Sequence, residues 1–117
     1  MEQQLPLVSI ITVNYNQAKV TTELLDSVRV NSYPNVEIIV VDNASDQDPG
    51  PFLKEKYPEI KYIRSDENLG FSGGNNLGIQ ASTGDYLFFI NNDAELTKGA
   101  IETLLNLFAA IPNLGIV

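Results

Sequence analysis

Four short apolar runs, separated by amphipathic segments, organise this sequence. They are Leu7–Val13, Val36–Val41, Ile60–Arg64 and Tyr86–Ile90. The first two consist mostly of β-branched residues, which is typical of strands buried on both faces of a parallel sheet. Tyr86–Ile90, five large apolar residues bounded by polar ones, predicts another strand buried on both faces. Ile60–Arg64 carries charged residues, so we place it at an edge of the sheet.

The segments between these runs have helical periodicity. Apolar residues recur at helical spacing over about residues 17–31, and a shorter helix is predicted over Phe52–Tyr57. Ser72 and Thr97 are interpreted as the N-caps of two further helices. Leu114–Val117 has the pattern of a strand just beginning, which suggests a chain cut from a longer one. The order β-α-β-α-β-α-β-α-(β) predicts an α/β fold with a parallel sheet and right-handed crossovers.

Polar side chains follow three of the predicted strands. Asn14 comes at the end of the first, Asp42 follows the second, and Asn91–Asp93 follow Tyr86–Ile90. In an open parallel sheet, ligands bind beyond the carboxyl ends of the strands. Oxygen ligands at this edge suit a divalent cation and, through it, a phosphate. Each group taken alone fits a structural turn or a helix cap equally well, so both readings stay open here.

Three glycines lie inside the third predicted helix. Gly73, Gly74 and Gly78 there weaken the helix by roughly 2–3 kcal/mol relative to alanine. A sequence tolerates this where a neighbouring strand or a ligand must approach the backbone closely. The glycine order does not match the G-x-G-x-x-G pattern, so a dinucleotide fingerprint is rejected.

Composition narrows the chemistry further. The 117 residues include no histidine and no cysteine. This excludes thiolate catalysis, histidine-dependent triads and zinc sites with cysteine or histidine ligands. Any metal is therefore Mg²⁺ or Mn²⁺ on oxygen ligands. A net charge of −8 argues against extended nucleic-acid contact. An acidic protein also needs a cation or backbone N–H groups to hold a diphosphate.

The sequence shows no membrane or secretion signal. No apolar run approaches the roughly 20 residues that a membrane span requires. Residues 1–6 lack the basic and long apolar regions of a signal peptide. We therefore expect a cytoplasmic protein with no membrane span, and peripheral association with the inner face of the cell membrane stays open.

Four blocks, in this order, resemble family 2 glycosyltransferases, and their rhamnosyltransferase-like subgroup in particular: Val8–Asn16, Val40–Ser45, Asn68–Gly78 and Gly84–Asp93. The resemblance covers nearly all of the chain. It implies the GT-A fold, a Rossmann-like parallel sheet flanked by helices and apparently truncated. Residues 1–117 would be the N-terminal donor-binding part, without the acceptor-binding half.

The resemblance also implies a reaction. The family transfers a sugar from a UDP- or dTDP-linked donor to a saccharide or lipid-linked acceptor, usually with inversion and with Mg²⁺ or Mn²⁺. Such enzymes serve polysaccharide biosynthesis for the cell envelope. For a truncated chain we further expect self-association, with Tyr86–Ile90 or Ile116–Val117 near the contact.

Donor-binding residues are assigned through the same resemblance. Asp42 would accept a hydrogen bond from the N3–H of uracil or thymine. Tyr15 would pack against the base or ribose, with the backbone near Val13 assisting. Asn75 and Asn76 would lie near the donor, although many relatives carry a basic residue where Asn75 stands.

The metal site and the missing base follow from the resemblance as well. Asp93 matches the last carboxylate of the family's Asp-X-Asp motif, which holds the metal that bridges the two phosphates. Asn92 joins the donor site, and Asn91 stands where the first Asp of that motif often lies. The general base is expected beyond Val117, so no catalytic residue is assigned. Glu95, the nearest acid, is expected in a solvated first helical turn.

Two alternatives remain beside the glycosyltransferase. One is a module of the same fold that binds nucleotide without catalysis, favoured by the missing base and by Asn91. The other is an unrelated doubly wound regulatory domain of the receiver type, with Asp42 or Asp93 as its phosphorylated residue. That domain also needs a lysine at a later strand end, and none follows, so we rank it last.

Overall fold

The structure is a computed structural model, which describes residues 5–31 and 33–110. Within these residues, strands and helices alternate strictly along the chain. They are β1 (Val8–Asn14), α1 (Ala18–Arg29), β2 (Val36–Asp42), α2 (Gly50–Lys56), β3 (Lys61–Arg64), α3 (Gly70–Ala81), β4 (Tyr86–Phe89) and α4 (Ala100–Ala110). The expected order is confirmed through α4, and the strand predicted at Leu114–Val117 lies outside the described residues.

The four strands form one parallel sheet in the order β3-β2-β1-β4. The predicted parallel α/β architecture is therefore confirmed, as is the edge position of β3. The β1–β2 register brings Asn14 opposite Asp42 at the carboxyl edge. Polar residues that end the two inner strands are therefore neighbours, as the sequence reading requires.

The prediction for β4 is wrong in one respect. In the described part of the sheet this strand lies at the edge beyond β1, and Phe88 is its one fully buried side chain. Tyr86, Leu87 and Phe89 are half-buried. An apolar run alone does not distinguish an inner strand from an edge strand, because helices can cover both faces of either.

Apolar side chains pack on both faces of the sheet, since successive strand residues point to opposite sides. The larger cluster joins the sheet to α1, α2 and α4, and Ile10, Leu24, Val40, Phe88 and Ile101 are among its buried members. The smaller cluster lies under α3 and contains Ile11, Ile39 and Val41, with the half-buried Leu77 packed on it. Burial of each large side chain contributes roughly 1.5–3 kcal/mol, so the two clusters together stabilise the sheet that carries the strand ends.

Close packing of α3 on β1 accounts for the helical glycines. A Cβ atom on Gly78 would come 2.4 Å from Cγ2 of Ile11, and one on Gly74 would come 2.9 Å from Cγ1 of Val13. Both distances are too short for carbon atoms in contact. Of the two reasons that the sequence left open, a neighbouring strand is therefore sufficient for these two glycines.

Both predicted N-caps are wrong. Helix α3 begins at Gly70, and the side chain of Asn68 accepts a hydrogen bond from the Gly70 N–H at 2.9 Å. Gly70 has a φ of 74°, a conformation that glycine adopts easily and that lets the chain turn into the helix two residues before Ser72. Helix α4 begins at Ala100, three residues after Thr97, whose carbonyl accepts the Ala100 N–H.

Candidate functional site

A cleft opens at the carboxyl edge of the sheet, between the end of β1, the start of α3 and the turn after β4. Its volume is about 500 Å³, which is within the range of small-molecule sites. Side chains and backbone from four loops line it: Val13, Tyr15, Gln17, Asn43, Asn68, Gly70, Phe71, Asn91, Asn92 and Asp93. This is the edge at which an open parallel sheet binds ligands.

Five of the residues singled out in the sequence meet in this cleft. They are Val13, Tyr15, Asn91, Asn92 and Asp93. Tyr15 has 45% of its surface exposed, although it directly follows the last residue of β1. An exposed aromatic ring on a rigid support is suited to stacking on a flat ligand group. Among the described residues, Asp93 is the one charged side chain that lines the cleft.

The other three predicted residues are not in the cleft lining. Asn75 is half-buried and Asn76 is exposed on α3, and neither lines the cleft. Asp42 has no exposed surface at all. Its strand position explains this, because the Asp42 side chain points to the face of the sheet that carries α1 and α2, together with Ile38 and Val40.

All the hydrogen-bonding capacity of the Asp42 carboxylate is used inside the protein. Oδ1 accepts from Asn14 Nδ2 at 2.9 Å and from Ser45 Oγ at 2.6 Å. Oδ2 accepts from the Ser45 N–H at 3.0 Å and pairs with the Arg64 guanidinium. In this conformation Asp42 organises the strand ends, and a direct contact with a base would require Ser45 or Arg64 to release one oxygen.

Asn43 is a cleft residue that the sequence reading missed. As the next residue along from Asp42, it points to the opposite face. Its Nδ2 donates to the carbonyl of Gly70 at 2.8 Å, and its Oδ1 accepts from the Leu69 N–H at 3.1 Å. The amide therefore ties the end of β2 to the start of α3. Strand alternation was the available signal, since only one of two adjacent residues can face a given side.

A second, larger cleft of about 690 Å³ lies on the other side of the β1 and β2 ends, beside α2. The side chains of Asp46, Asp48 and Phe52 contribute to its lining. Asp48 is already bonded to the Tyr62 hydroxyl and the Gly50 N–H, and these bonds, Tyr62 first, hold the pKa of Asp48 below its usual range. Neither Tyr15 nor Asp93 reaches this cleft, so size alone does not make it the better candidate.

The cleft can accept a divalent cation only with help from a ligand. Within residues 5–31 and 33–110 no three carboxylates are grouped so as to hold a metal ion. Mg²⁺ characteristically binds through one or two carboxylates, waters and the phosphates of its substrate. Asp93 fits that arrangement, and a cage of protein ligands alone does not. Metal binding here is therefore expected to depend on a phosphate ligand.

A comparison of the sequence with protein families matches Glycosyl transferase family 2 over residues 9–117. Among curated proteins, glycosyltransferase GlyA of Streptococcus pneumoniae is 33% identical over 101 residues. That match covers 83% of this chain and 14% of GlyA. The relatives include several kinds of glycosyltransferase, so they do not single out one subgroup.

Solved structures agree on the fold. The mannosyltransferase PcManGT from Pyrobaculum calidifontis, in complex with GDP-Man and Mn²⁺, has a TM-score of 0.81 and 26% identity, covering 94% of this chain and 34% of that one. TarS 1-349 of S. aureus, in complex with UDP-GlcNAc, has a TM-score of 0.79 and 22% identity, covering 95% and 37%. The expected GT-A fold is confirmed. The chain therefore spans only part of the length of each of these proteins: 14% of GlyA, 34% of PcManGT and 37% of TarS 1-349.

Proposed function

The chain belongs to glycosyl transferase family 2, and from this premise we propose that it is the donor-binding part of a glycosyltransferase. Its ligand is a nucleoside-diphosphate sugar, bound in the cleft between Tyr15 and Asp93 with Mg²⁺ or Mn²⁺. The observation that carries this proposal is the shared cleft. An exposed aromatic ring for a base and a carboxylate for a metal–diphosphate line one small-molecule-sized space.

In this proposal, stacking takes place at one end of the cleft and metal binding at the other. The Tyr15 ring takes the base or ribose at the β1 end. Asp93 holds the metal at the turn after β4, with Asn91 and Asn92 as neighbouring amide ligands or hydrogen-bond partners. With Mg²⁺ or Mn²⁺ held at Asp93, the site would have a Lewis acid to stabilise the negative charge of the leaving diphosphate. This also resolves the difficulty of an acidic protein that binds phosphate, because the cation carries the opposite charge.

We propose UDP or dTDP as the nucleotide, as expected for a rhamnosyltransferase-like subgroup. The named complexes above contain a guanine nucleotide in one protein and a uracil nucleotide in another, so selectivity must come from this chain's own residues. Asn43 is the polar group at the β2 end of the cleft. The Asp42 side chain points to the other face of the sheet, and a bond to a pyrimidine N3–H would require Arg64 or Ser45 to release one of its oxygens. Selective binding through Asp42 would therefore be accompanied by a rearrangement at Arg64 or Ser45.

We propose that the residue that activates the acceptor lies outside the cleft between Tyr15 and Asp93. Inverting transfer to a saccharide or lipid-linked acceptor requires a general base. Glu95 is exposed and does not line the cleft; it lines a neighbouring groove with Glu23 and Asp26 of α1, and this groove meets the cleft at Asp93. We propose that it is not the base, and that this chain by itself binds donor without measurable transfer. In a whole enzyme the reaction would serve polysaccharide synthesis at the inner face of the cell membrane.

Two further proposals concern membrane association and self-association. No helix within the described residues has both the length and the apolar character needed to cross a membrane. Association with a membrane would therefore be peripheral. β4 is an edge strand of the sheet within the described residues, and edge strands favour association between copies, so we propose that this strand lies near a self-association contact.

A second candidate is a module of the same fold that binds nucleotide without a catalytic role. The specific observation in its favour is that Asp93 is the single carboxylate that the described part of the chain contributes to the cleft lining. The two candidates make the same prediction for binding and differ in turnover.

Calorimetric titration of this chain with UDP, dTDP, GDP and ADP in Mn²⁺ tests the proposal. We expect the two pyrimidine nucleotides to bind more tightly, and Asp42→Asn to weaken UDP binding by about 1–3 kcal/mol. Equal affinities for UDP and ADP would contradict the pyrimidine assignment. A longer chain of the same protein that releases UDP from a UDP-sugar would favour the enzyme over the binding module.

A further inference from the structure

A continuous series of side-chain hydrogen bonds joins the Asp42 carboxylate to the cleft. Asn14 Nδ2 donates to Asp42 Oδ1 at 2.9 Å, and Thr21 Oγ1 donates to Asn14 Oδ1 at 2.7 Å. Asn92 Nδ2 lies 3.2 Å from Thr21 Oγ1 and 3.3 Å from Gln17 Oε1. Asp42, Asn14 and Thr21 are 0% exposed, whereas Asn92 lines the cleft. We call these four side chains the Asp42–Asn92 relay.

The direction of every hydrogen bond in the relay is set by the carboxylate at its inner end. A carboxylate that pairs with Arg64 only accepts, so Asn14 must turn its NH₂ group toward Asp42 and its carbonyl oxygen toward Thr21. The Thr21 hydroxyl then donates its single proton to Asn14. Its oxygen is left as an acceptor, which only the NH₂ group of Asn92 can satisfy. Reversing the Asn14 amide would set two acceptors against each other in a buried place, and reversing the Asn92 amide would do so at the partly buried edge of the cleft.

We propose that Asn14 and Thr21 are positioning residues that fix the amide of Asn92, so that its Oδ1 faces the ligand in the cleft. The proposal rests on the proposed donor site. The NH₂ group of Asn92 is used by Thr21 and Gln17, so its carbonyl oxygen is the group left to receive an O–H donor from the ligand. A free amide on an exposed turn would sample both orientations. The relay instead holds the Asn92 amide in one orientation in the protein without ligand.

The relay also explains why a buried threonine lies in the first turn of α1. Helix propensity does not favour threonine there, and a valine of the same shape would pack equally well on apolar neighbours. Thr22, the next residue, offers a matched control. It is also buried, and its hydroxyl bonds only to the Lys19 carbonyl of its own helix. Thr21→Val and Thr22→Val therefore remove the same atoms from adjacent positions, but only the first interrupts the relay.

The first measurement needs no nucleotide. In NMR spectra of the ¹⁵N-labelled chain, the Asn92 side-chain amide signal should move in Thr21→Val. It should stay near its original position in Thr22→Val and in Thr21→Ser, which retains the hydroxyl. An unchanged Asn92 signal in a folded Thr21→Val variant would overturn the relay, whatever the chain binds.

The second measurement asks whether the relay acts on the ligand through Asn92. UDP with Mn²⁺ is titrated into the original chain, Thr21→Val, Asn92→Ala and the double variant. Thr21→Val should weaken binding roughly tenfold, the effect of about one lost hydrogen bond. The same change should have no effect once Asn92 is alanine, and Thr21→Ser should restore most of the affinity.

The outcomes separate this inference from the proposed function. If the Asn92 signal responds to Thr21→Val but UDP binds none of the proteins, the donor-site proposal fails and the relay stands as a structural finding. If UDP binds and Thr21→Val weakens it equally with or without Asn92, then Thr21 acts by another route and the positioning role is wrong. Coupled losses with rescue by serine would support both.

Discussion

Arg64 at the end of β3 pairs with the fully buried carboxylate of Asp42 at the end of β2, and the two residues are opposite each other in the sheet register. Arg64 also donates to the carbonyl of Ser45 at 2.8 Å. One side chain thus joins the edge strand to the loop that follows β2. The sequence indicated a candidate ligand-binding carboxylate at Asp42, and the structure shows it held by an internal ion pair.

We expect Arg64→Met to lower the free energy of unfolding by about 2–4 kcal/mol. The change leaves the Asp42 charge buried without its partner, which is far less favourable than losing a surface ion pair. Urea unfolding measures the effect. Lys19→Met, the same charge change on the exposed face of α1, is the control and should shift stability by less than about 0.5 kcal/mol. Equal effects of the two variants would show that the Asp42–Arg64 pair does not stabilise the fold.

Glu37 predicts how stability depends on pH. Burial alone would raise the pKa of its carboxyl, but hydrogen bonds from Lys61, Ser9 and Thr83 outweigh burial and lower it to about 2. A lowered pKa contributes stability that is complete above the unfolded-state value near 4.5 and is lost as the pH falls toward 2. We expect a contribution of about 3 kcal/mol at neutral pH.

The measurement is urea unfolding of the original chain and of Glu37→Gln at a series of pH values. The stability difference between them should be largest at pH 6 and should shrink between pH 4.5 and 2. Glu55→Gln, on the exposed surface of α2, is the matched control. A difference that does not change with pH would contradict the assigned role of the Glu37 carboxylate. UDP binding should be unaffected, because Glu37 lies near the start of the strands, away from the cleft.

Gly78→Ala should destabilise the protein by about 1–3 kcal/mol, although alanine is the better helix former. The added methyl group meets Cγ2 of the fully buried Ile11, which has no space to move. Gln80→Ala on the exposed face of the same helix should be neutral or slightly stabilising. Thermal unfolding distinguishes the two. A stabilised Gly78→Ala variant would mean that α3 and β1 are farther apart than the structure shows.

Tyr15→Ala should weaken UDP binding by about 1–3 kcal/mol, the usual effect of losing an aromatic ring that stacks on a base. Tyr15→Phe should retain most of the affinity, because stacking requires the ring and not the hydroxyl. Stability should change little in either variant, since nearly half of the side-chain surface is exposed. Fluorescence or calorimetric titration gives the affinities. Equal UDP binding by all three proteins would place the base elsewhere.

The sequence was sufficient for the fold, because β-branched runs and helical periodicity determine the order of elements. It also predicted that Tyr15 and Asp93 lie at the same edge of the sheet, where both line the candidate cleft. The sequence-based prediction was wrong where a residue's role depends on which face of the sheet its side chain points to. Asp42 and Asn43 are adjacent, yet only Asn43 faces the cleft, and the choice depends on strand register and on which helix covers which face.

The predicted first residues of two helices were wrong for a related physical reason. Ser72 and Thr97 have the right chemistry for N-caps, but glycines with positive φ at Gly70 and Gly99 determine where the chain turns. Backbone geometry at a glycine leaves no periodic pattern in the sequence. The hydrogen bonds of Asn14 and Thr21 are likewise invisible in the sequence, because they join residues whose contact arises only from the packing of α1 against the strand ends.

We propose that Asp93 holds the cation through which this acidic chain binds a nucleoside diphosphate. The most direct measurement is calorimetric titration of UDP into the original chain and into Asp93→Ala, each with Mn²⁺ and with EDTA. Asn106→Ala, an exposed position on α4, is the control. We predict that UDP binds the original and control chains only with Mn²⁺, and that Asp93→Ala binds weakly and equally in both conditions while remaining folded. UDP binding that is as tight in EDTA as in Mn²⁺, or unchanged in Asp93→Ala, would show that Asp93 does not hold a cation needed for nucleotide binding.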